Sequence, residues 1–246
     1  PATRAPSLIV DRVAGIEGVA AVEGRIRGGA LLDMPGQALP VRAAALSLPR
    51  SMTPRLNALY LKEGRLLSLG HMDEVVVLES FARAHDLTLG DRLTATMQGS
   101  RRSFTIVGLA ASPEFLFTTA PGEFVPDDAR FAVLWMHEEA LAAAFDVEGA
   151  VNEILIALER GANPQDILTR VDHLLDRYGG QGAYERKDSV SDRFISEEIA
   201  GLAATSVVVP PIFLGVAAFL LYIVIARLVQ AEREQIGLIK AFGYTD

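Results

Sequence analysis

Between Glu198 and Arg227 the chain runs through 28 residues, Ile199 to Ala226, without a charged side chain. About 20 helical residues are enough to cross the hydrocarbon core of a bilayer. From Phe213 to Ala226 the run is apolar on every face and lacks the polar stripe that a soluble helix keeps at a 3.6-residue period. The stretch therefore reads as a membrane-spanning helix. Pro210 and Pro211 fall in its first half. The missing N–H of Pro211 and its ring clash predict a bend there, and the freed carbonyls predict a helix packed against neighbours rather than a lone anchor.

The residues after the span set its direction. Arg227, Arg233 and Lys240 lie within about 15 residues of the apolar end, and acidic Glu232 and Glu234 weigh little against them under the positive-inside rule. The C-terminus is expected in the cytoplasm, and residues 1 to about 198 outside it. The chain opens at Pro1 with no signal peptide. An external N-terminal region needs an upstream signal or span, so a piece of a longer protein is expected.

Acidic residues outnumber basic ones by 31 to 23, for a net charge of −8, which argues against non-specific nucleic-acid binding. The absence of cysteine removes disulfides, thiolate metal sites and cysteine nucleophiles.

Ahead of the span the pattern is mixed α and β. Ser7 is a candidate cap for a short helix with Ile9, Val13 and Ile16 on one face. Strands are expected over Val19 to Arg27, then, after a break at Gly28-Gly29, over Ala30 to Asp33, and over Leu39 to Ala45. Leu59 to Ala110 reads as a small β-rich module, with a strand at Glu74 to Leu78, a helical turn at Glu79 to His85, and a hairpin joining Arg92 to Met97 and Ser103 to Ala110 through Gln98-Gly99. Ser112 to Arg130 carries three prolines and no period. It is either a long surface loop or a loop that contacts substrate, partner or lipid through Phe115, Phe117 and Phe124.

Phe131 to Met136 reads as a strand, Glu138 to Phe145 as a helix and Asn152 to Leu158 as a strand. A helix opened by Pro164 and closed by Gly179-Gly180 follows, then a brief strand at Ala183 to Arg186. Ser189 or Ser191 can cap the helix that enters the membrane. The expected fold is α+β, a split extracytoplasmic domain. Residues 1–57 and 146–190 make a βαβ-containing part, and 58–145 an inserted β-rich part. Residues 191–228 form a stalk and span, and 229–246 a cytoplasmic helix.

No GxxxxGK[ST], GxSxG or HExxH motif is present, and His71, His85, His137 and His173 are scattered. Neither a catalytic group nor a metal or cofactor site is expected. That leaves a binding, transducing or transporting chain. In the last 20 residues Ile236, Ile239 and Phe242 or Gly243 share a helical face, which can lie in the lipid interface or dock into a groove of a soluble partner.

The run Glu232-Arg233-Glu234-Gln235-Ile236-Gly237-Leu238-Ile239-Lys240-Ala241-Phe242-Gly243-Tyr244-Thr245 resembles the segment that follows the second spanning helix in FtsX/MacB-type ABC transporter permeases. Glu63-Gly64-Arg65, Asp73 to Val77, Leu89-Gly90-Asp91 and Phe104 to Gly108 resemble, in that order, the periplasmic core domain of the same family. The resemblance implies a non-catalytic permease subunit in a bacterial inner membrane. Its ATP would be bound by a separate ATPase, and coupling to it would run through Glu232, Arg233, Glu234, Ile236, Gly237, Leu238, Ile239, Lys240, Phe242 and Gly243. It implies a second permease half or a homodimer, an envelope partner, and extrusion of lipid, lipoprotein or peptide. A membrane-anchored sensory domain of a signalling receptor is the alternative class. A reporter fused after Asp246 in the full-length protein should be active only in its cytoplasmic form; activity of a periplasmic reporter there would reverse the topology.

Overall fold

The structure is a computed structural model and describes residues 1–37, 39–116 and 127–243; of Val190, Ser191, Phe194, Gln235, Ile236 and Lys240 it describes the backbone alone. The chain falls into two units, Pro1–Arg193 and Phe194–Asp246. In chain order the first unit holds β1 (Ala5–Pro6), α1 (Ile9–Ala14), β2 (Val19–Arg25), β3 (Arg27–Asp33), β4 (Val41–Leu48), β5 (Tyr60–Gly64), β6 (Glu74–Leu78) and α2 (Glu79–Ala84). It continues with β7 (Arg92–Met97), β8 (Ser100–Ala111), β9 (Phe131–His137), α3 (Glu138–Phe145), β10 (Ala150–Val151), β11 (Glu153–Leu158) and α4 (Pro164–Leu175). Then follow α5 (Val190–Ala231) and α6 (Arg233–Ala241).

The apolar strands β6 and β9, EVVVL and FAVLWMH, are buried at every residue, the pattern of strands covered on both faces. They lie inside a seven-stranded sheet of order β5-β8-β6-β9-β4-β3-β7. Pairing is antiparallel except for β4 with β9 and β6 with β8. The twelve-residue β8 uses Ser100 to Thr105 against β7 and Thr105 to Ala110 against β6. Since β7 also pairs with β3, the strands β3, β4, β9, β6, β8 and β7 close on themselves and leave β5 as an added edge. Gln98 and Gly99 both take positive φ, 47° and 78°, the backbone that a two-residue hairpin turn of matching twist requires.

A second, smaller core lies beside this one. Here β2 pairs antiparallel with β11, and Ile9, Val13, Val151, Ile167, Val171 and Leu175 pack from α1, β10 and α4. The N-terminal strand and 153–158 thus share a sheet as expected. The division between the two cores falls at Ile26 and again at Ala150 and Val151, however, rather than at residues 57 and 146. Gly28-Gly29 does not break the chain: β3 runs through it, and the break is the single residue Ile26. At that residue the chain changes partners, from Arg25 opposite Glu153 to Arg27 opposite Leu46. Ser47 holds the switch by accepting from the Ile26 N–H through Oγ at 2.8 Å and donating its own N–H to the Ile26 carbonyl at 2.8 Å. Across the way the Asn152 side chain accepts from the Arg27 N–H and donates to its carbonyl, both at 2.7 Å.

Two local expectations change. Ser7 does not cap α1; its Oγ donates to the Gly149 carbonyl at 3.1 Å, and Leu8 stands at the cap position. Residues 183–186 form no strand. The Ala183 N–H donates to Asp172 Oδ1 at 2.6 Å, and Arg186–Asp188 is a 3-10 turn, so the unit around α4 lacks the second strand of a βαβ. Asn163 caps α4 by accepting from Gln165 N–H, ahead of Pro164 as the first helical residue. Gly179, at φ 69°, then ends the following 3-10 turn in the left-handed region.

In the second unit α5 carries the apolar run. From Ile195 to Ala231 it is the one helix among the described residues long and apolar enough to cross a membrane. Ser189 accepts from the Asp192 N–H at 3.3 Å, as the cap of its first turn. Thr205 and Ser206 donate their hydroxyls to the carbonyls of Gly201 and Ala203, which hides both polar groups within the helix. Pro210 and Pro211 lie inside it.

The close approach of β3 to α3 gives a test. A Cβ on Gly28 would run into the ring of Phe145, which packs against the large core. Gly28→Ala should cost about 1–3 kcal/mol, the usual range for overpacking. The measurement is denaturant unfolding followed through buried Trp135, the only tryptophan; an unchanged midpoint would show that Phe145 gives way freely.

Candidate functional site

The segment that follows α5, where coupling residues are expected, is built by a break and a stop. The helix α5 ends at Ala231, Glu232 forms a turn whose N–H still donates to the Leu228 carbonyl at 3.0 Å, and α6 restarts at Arg233. At its other end the Phe242 N–H reaches the carbonyls of Leu238 and Ile239, and Gly243 takes φ 84°, the left-handed residue that closes a helix. Leu238, Ile239 and Phe242 are three and four residues apart, so they share one side of α6. All three are exposed, Phe242 at 78%. Glu232, Arg233 and Glu234 are exposed at the start, and Gly237 adds no side chain to the helix. The side chains of Ile236 and Lys240 lie outside the described set. What α6 offers is a small apolar face preceded by charges of both signs.

Phe117 and Phe124 lie outside the described residues. Phe115 is half-buried: its ring meets Trp135 edge-on at 6.2 Å between centroids, and the Arg27 guanidinium lies 6.0 Å from it. It packs against the large core, and among the described residues of this stretch the exposed large apolar one is Leu116.

The first unit contains a charged group that the sequence did not mark. Arg25 and Arg27 are two apart on an extended chain and so face the same way. Arg25 is 6% exposed. Its Nε donates to Glu153 Oε2 at 2.5 Å, and its two Nη atoms donate to the two carboxylate oxygens of Glu114 at 2.6 Å each. Arg27 adds a bond to Glu153 Oε1 at 3.1 Å. Burial opposes the charge on Arg25, but Glu114 and Glu153 outweigh it and raise its pKa. Burial likewise pushes Glu153 up, and Arg25 and Arg27 together pull its carboxyl below the ordinary range. The readable signal was an arginine at an inward strand position beside Ile26, a place that demands a buried partner.

A second buried carboxylate, Glu74, accepts from both Nη atoms of Arg65 and from the Ser68 N–H, pinning residues 65–68 to the start of β6. Among the described residues no cluster of three or more His, Asp or Glu could hold a metal. His137 is buried, and its Nε2 has no hydrogen-bond partner among them.

No family model matches the chain, and no curated protein matches it. Three similar solved structures are domains of transport proteins. The periplasmic region of MacB from Actinobacillus actinomycetemcomitans is 13% identical with a TM-score of 0.45, over 71% of this chain and 76% of that one. The extracellular domain of the noncanonic ABC-type transporter YknZ from Gram-positive bacteria is 13% identical with a TM-score of 0.47, over 74% and 88%. A domain described as belonging to a permease protein from Porphyromonas gingivalis is 15% identical with a TM-score of 0.41, over 76% and 81%.

The Glu74 carboxyl carries a pH test. Hydrogen bonding from Arg65, helped by the Ser68 N–H, lowers its pKa from 4.5 to about 2 against the effect of burial. A depressed carboxylate stabilises the fold above its unfolded pKa, and that contribution is lost as pH falls through the folded value. The stability gap between the parent and Glu74→Gln should therefore be full at neutral pH and shrink between pH 4.5 and about 2. A gap that stays constant across a denaturation series in that window would sink the assignment.

Proposed function

We propose that the chain is part of the permease subunit of an ABC transporter of the FtsX/MacB type. In this reading α6 docks on a separate ATPase subunit, which binds the ATP. Residues 1 to about 198 lie outside the cytoplasm, and ATP-driven closure of the ATPase is passed to them through α5. Extrusion of lipid, lipoprotein or peptide fits such a chain, together with a second permease half or a homodimer mate and an envelope partner. The observation that carries the reading is α6 itself. It is a nine-residue helix directly after a spanning helix, within the segment that resembles the family's coupling region, and it keeps Leu238, Ile239 and Phe242 exposed.

Exposure of three large apolar side chains on so short a helix is unfavourable in water, and full burial of each is worth about 1.5–3 kcal/mol. Sparse basic charge argues for a protein groove over an anionic lipid surface, since Glu232 and Glu234 offset Arg233 and Lys240. An aspartate at position 239 would have to enter that groove unpaired, at a cost of several kcal/mol. Ile239→Asp in the full-length protein should leave expression and membrane insertion intact and remove both co-purification of the ATPase and the stimulated ATP hydrolysis. If the variant still captures the ATPase with unchanged affinity, α6 is an interfacial helix and the coupling reading fails.

A further inference from the structure

Glu114 stands three residues past the end of β8, in a turn where Phe115 N–H donates to the Ser112 carbonyl at 3.0 Å and Glu114 N–H to Ser112 Oγ at 3.4 Å. Its carboxylate is 21% exposed, and both of its oxygens are taken by the fork of Arg25. The same guanidinium holds Glu153 of β11 through Nε, and β11 belongs to the small core. Arg25 ends β2, one residue before the chain crosses at Ile26 into the large core. Three separate pieces of chain, the crossing strand, β11 and the turn 112–116, thus meet on one side chain. Two cations, Arg25 and Arg27, face two anions, Glu114 and Glu153, so the cluster is neutral only while Glu114 is in place.

We propose that Glu114 is a positioning residue, a latch that couples the turn 112–116 to the packing of the small core through Arg25. The coupling follows from the charge count. When the turn lifts away, one carboxylate is left against two guanidinium groups, one of them buried, and an uncompensated buried charge is costly. Water or a counterion must then enter beside Glu153, which loosens the β2–β11 pairing at Arg25 and Glu153. Conversely, sliding of β11 relative to β2 turns Arg25 and withdraws the two parallel donors that fix Glu114, because a bidentate fork tolerates little rotation. The turn and the strand pair therefore open together. The packing of Phe115 on Trp135 holds the same turn through an apolar contact, and its one approach to the cluster is the Arg27 guanidinium 6.0 Å from the ring, so it reaches the charges by way of Arg27 and leaves the Arg25 fork on Glu114 in place.

The experiment is hydrogen–deuterium exchange on the full chain in detergent or nanodiscs, comparing the parent with Glu114→Gln, Glu114→Asp and Phe115→Leu. Glu114→Gln is close in shape and removes the charge. It should accelerate exchange about tenfold or more, in line with the loss of a charged hydrogen bond, both at Phe115 and at the paired residues Gly24, Arg25, Glu153 and Ile154. Glu114→Asp keeps the charge but is one methylene too short for both oxygens to stay in the fork, so a smaller change at the same two places is expected. It also keeps the test open should the amide variant fold poorly. Phe115→Leu should accelerate the turn alone. Acceleration confined to the turn in both Glu114 variants would overturn the latch, as would a Phe115→Leu effect that reaches β2 and β11 equally.

Discussion

A guanidinium that is 94% out of water is the constraint to which the first unit answers. Taking such an ion from solvent costs several kcal/mol even after relaxation, and only close carboxylates with good geometry offset it. Arg25 finds them 89 and 128 residues away in sequence, on the turn 112–116 and on β11. Apolar burial excludes a slip of one residue, which would turn the buried face outward, but a slip of two keeps the same face inside. A buried arginine excludes that slip as well, because it would carry the guanidinium away from its carboxylates. The two cores are joined at Ile26 by a chain crossing and fixed there by Arg25, Asn152 and Ser47, each of which satisfies groups that the switch of sheets would otherwise leave unpaired.

Elements whose cause is local were legible in the sequence. The β-branched run of β6, the Gln98-Gly99 hairpin, the proline-opened α4 and the long apolar α5 each follow from spacing or turn chemistry within a few residues, and the structure has all four. What was not legible depended on distant partners. Gly28-Gly29 looks like a break, yet glycine is needed at position 28 because Phe145 occupies the space a side chain would take, while Gly29 faces open space. Ser7 looks like a cap, but its Oγ donates to the Gly149 carbonyl and Leu8 stands at the cap position. The split between the cores was expected after β4 and occurs before β3, since strands 27–33 and 41–48 alternate in the same way whichever sheet they join.

The candidate site divides similarly. The closing glycine of α6 can be read from the sequence, since Gly243 follows a charged start and an apolar repeat; the bounds were expected at 229–246, whereas α5 runs on to Ala231 and α6 spans Arg233–Ala241. The aromatic stretch after β8 misled. A phenylalanine among prolines and polar residues suggests exposure, but Phe115 is drawn inward by Trp135, and Leu116 next to it is left outside. The Arg25 cluster was hidden because its four members come from three distant segments, none of which forms a motif.

The proline pair gives α5 a mechanical property. Without amide hydrogens, Pro210 and Pro211 leave the carbonyls of Ser206 and Val207 without their usual donors, so the backbone ladder is thinnest there. On either side the helix keeps its bonds, over residues 190–209 and 212–231, each about 30 Å long at the α-helical rise. A rod weakened at its midpoint yields there first, so bending concentrates at the proline pair while two arms of equal length stay straight.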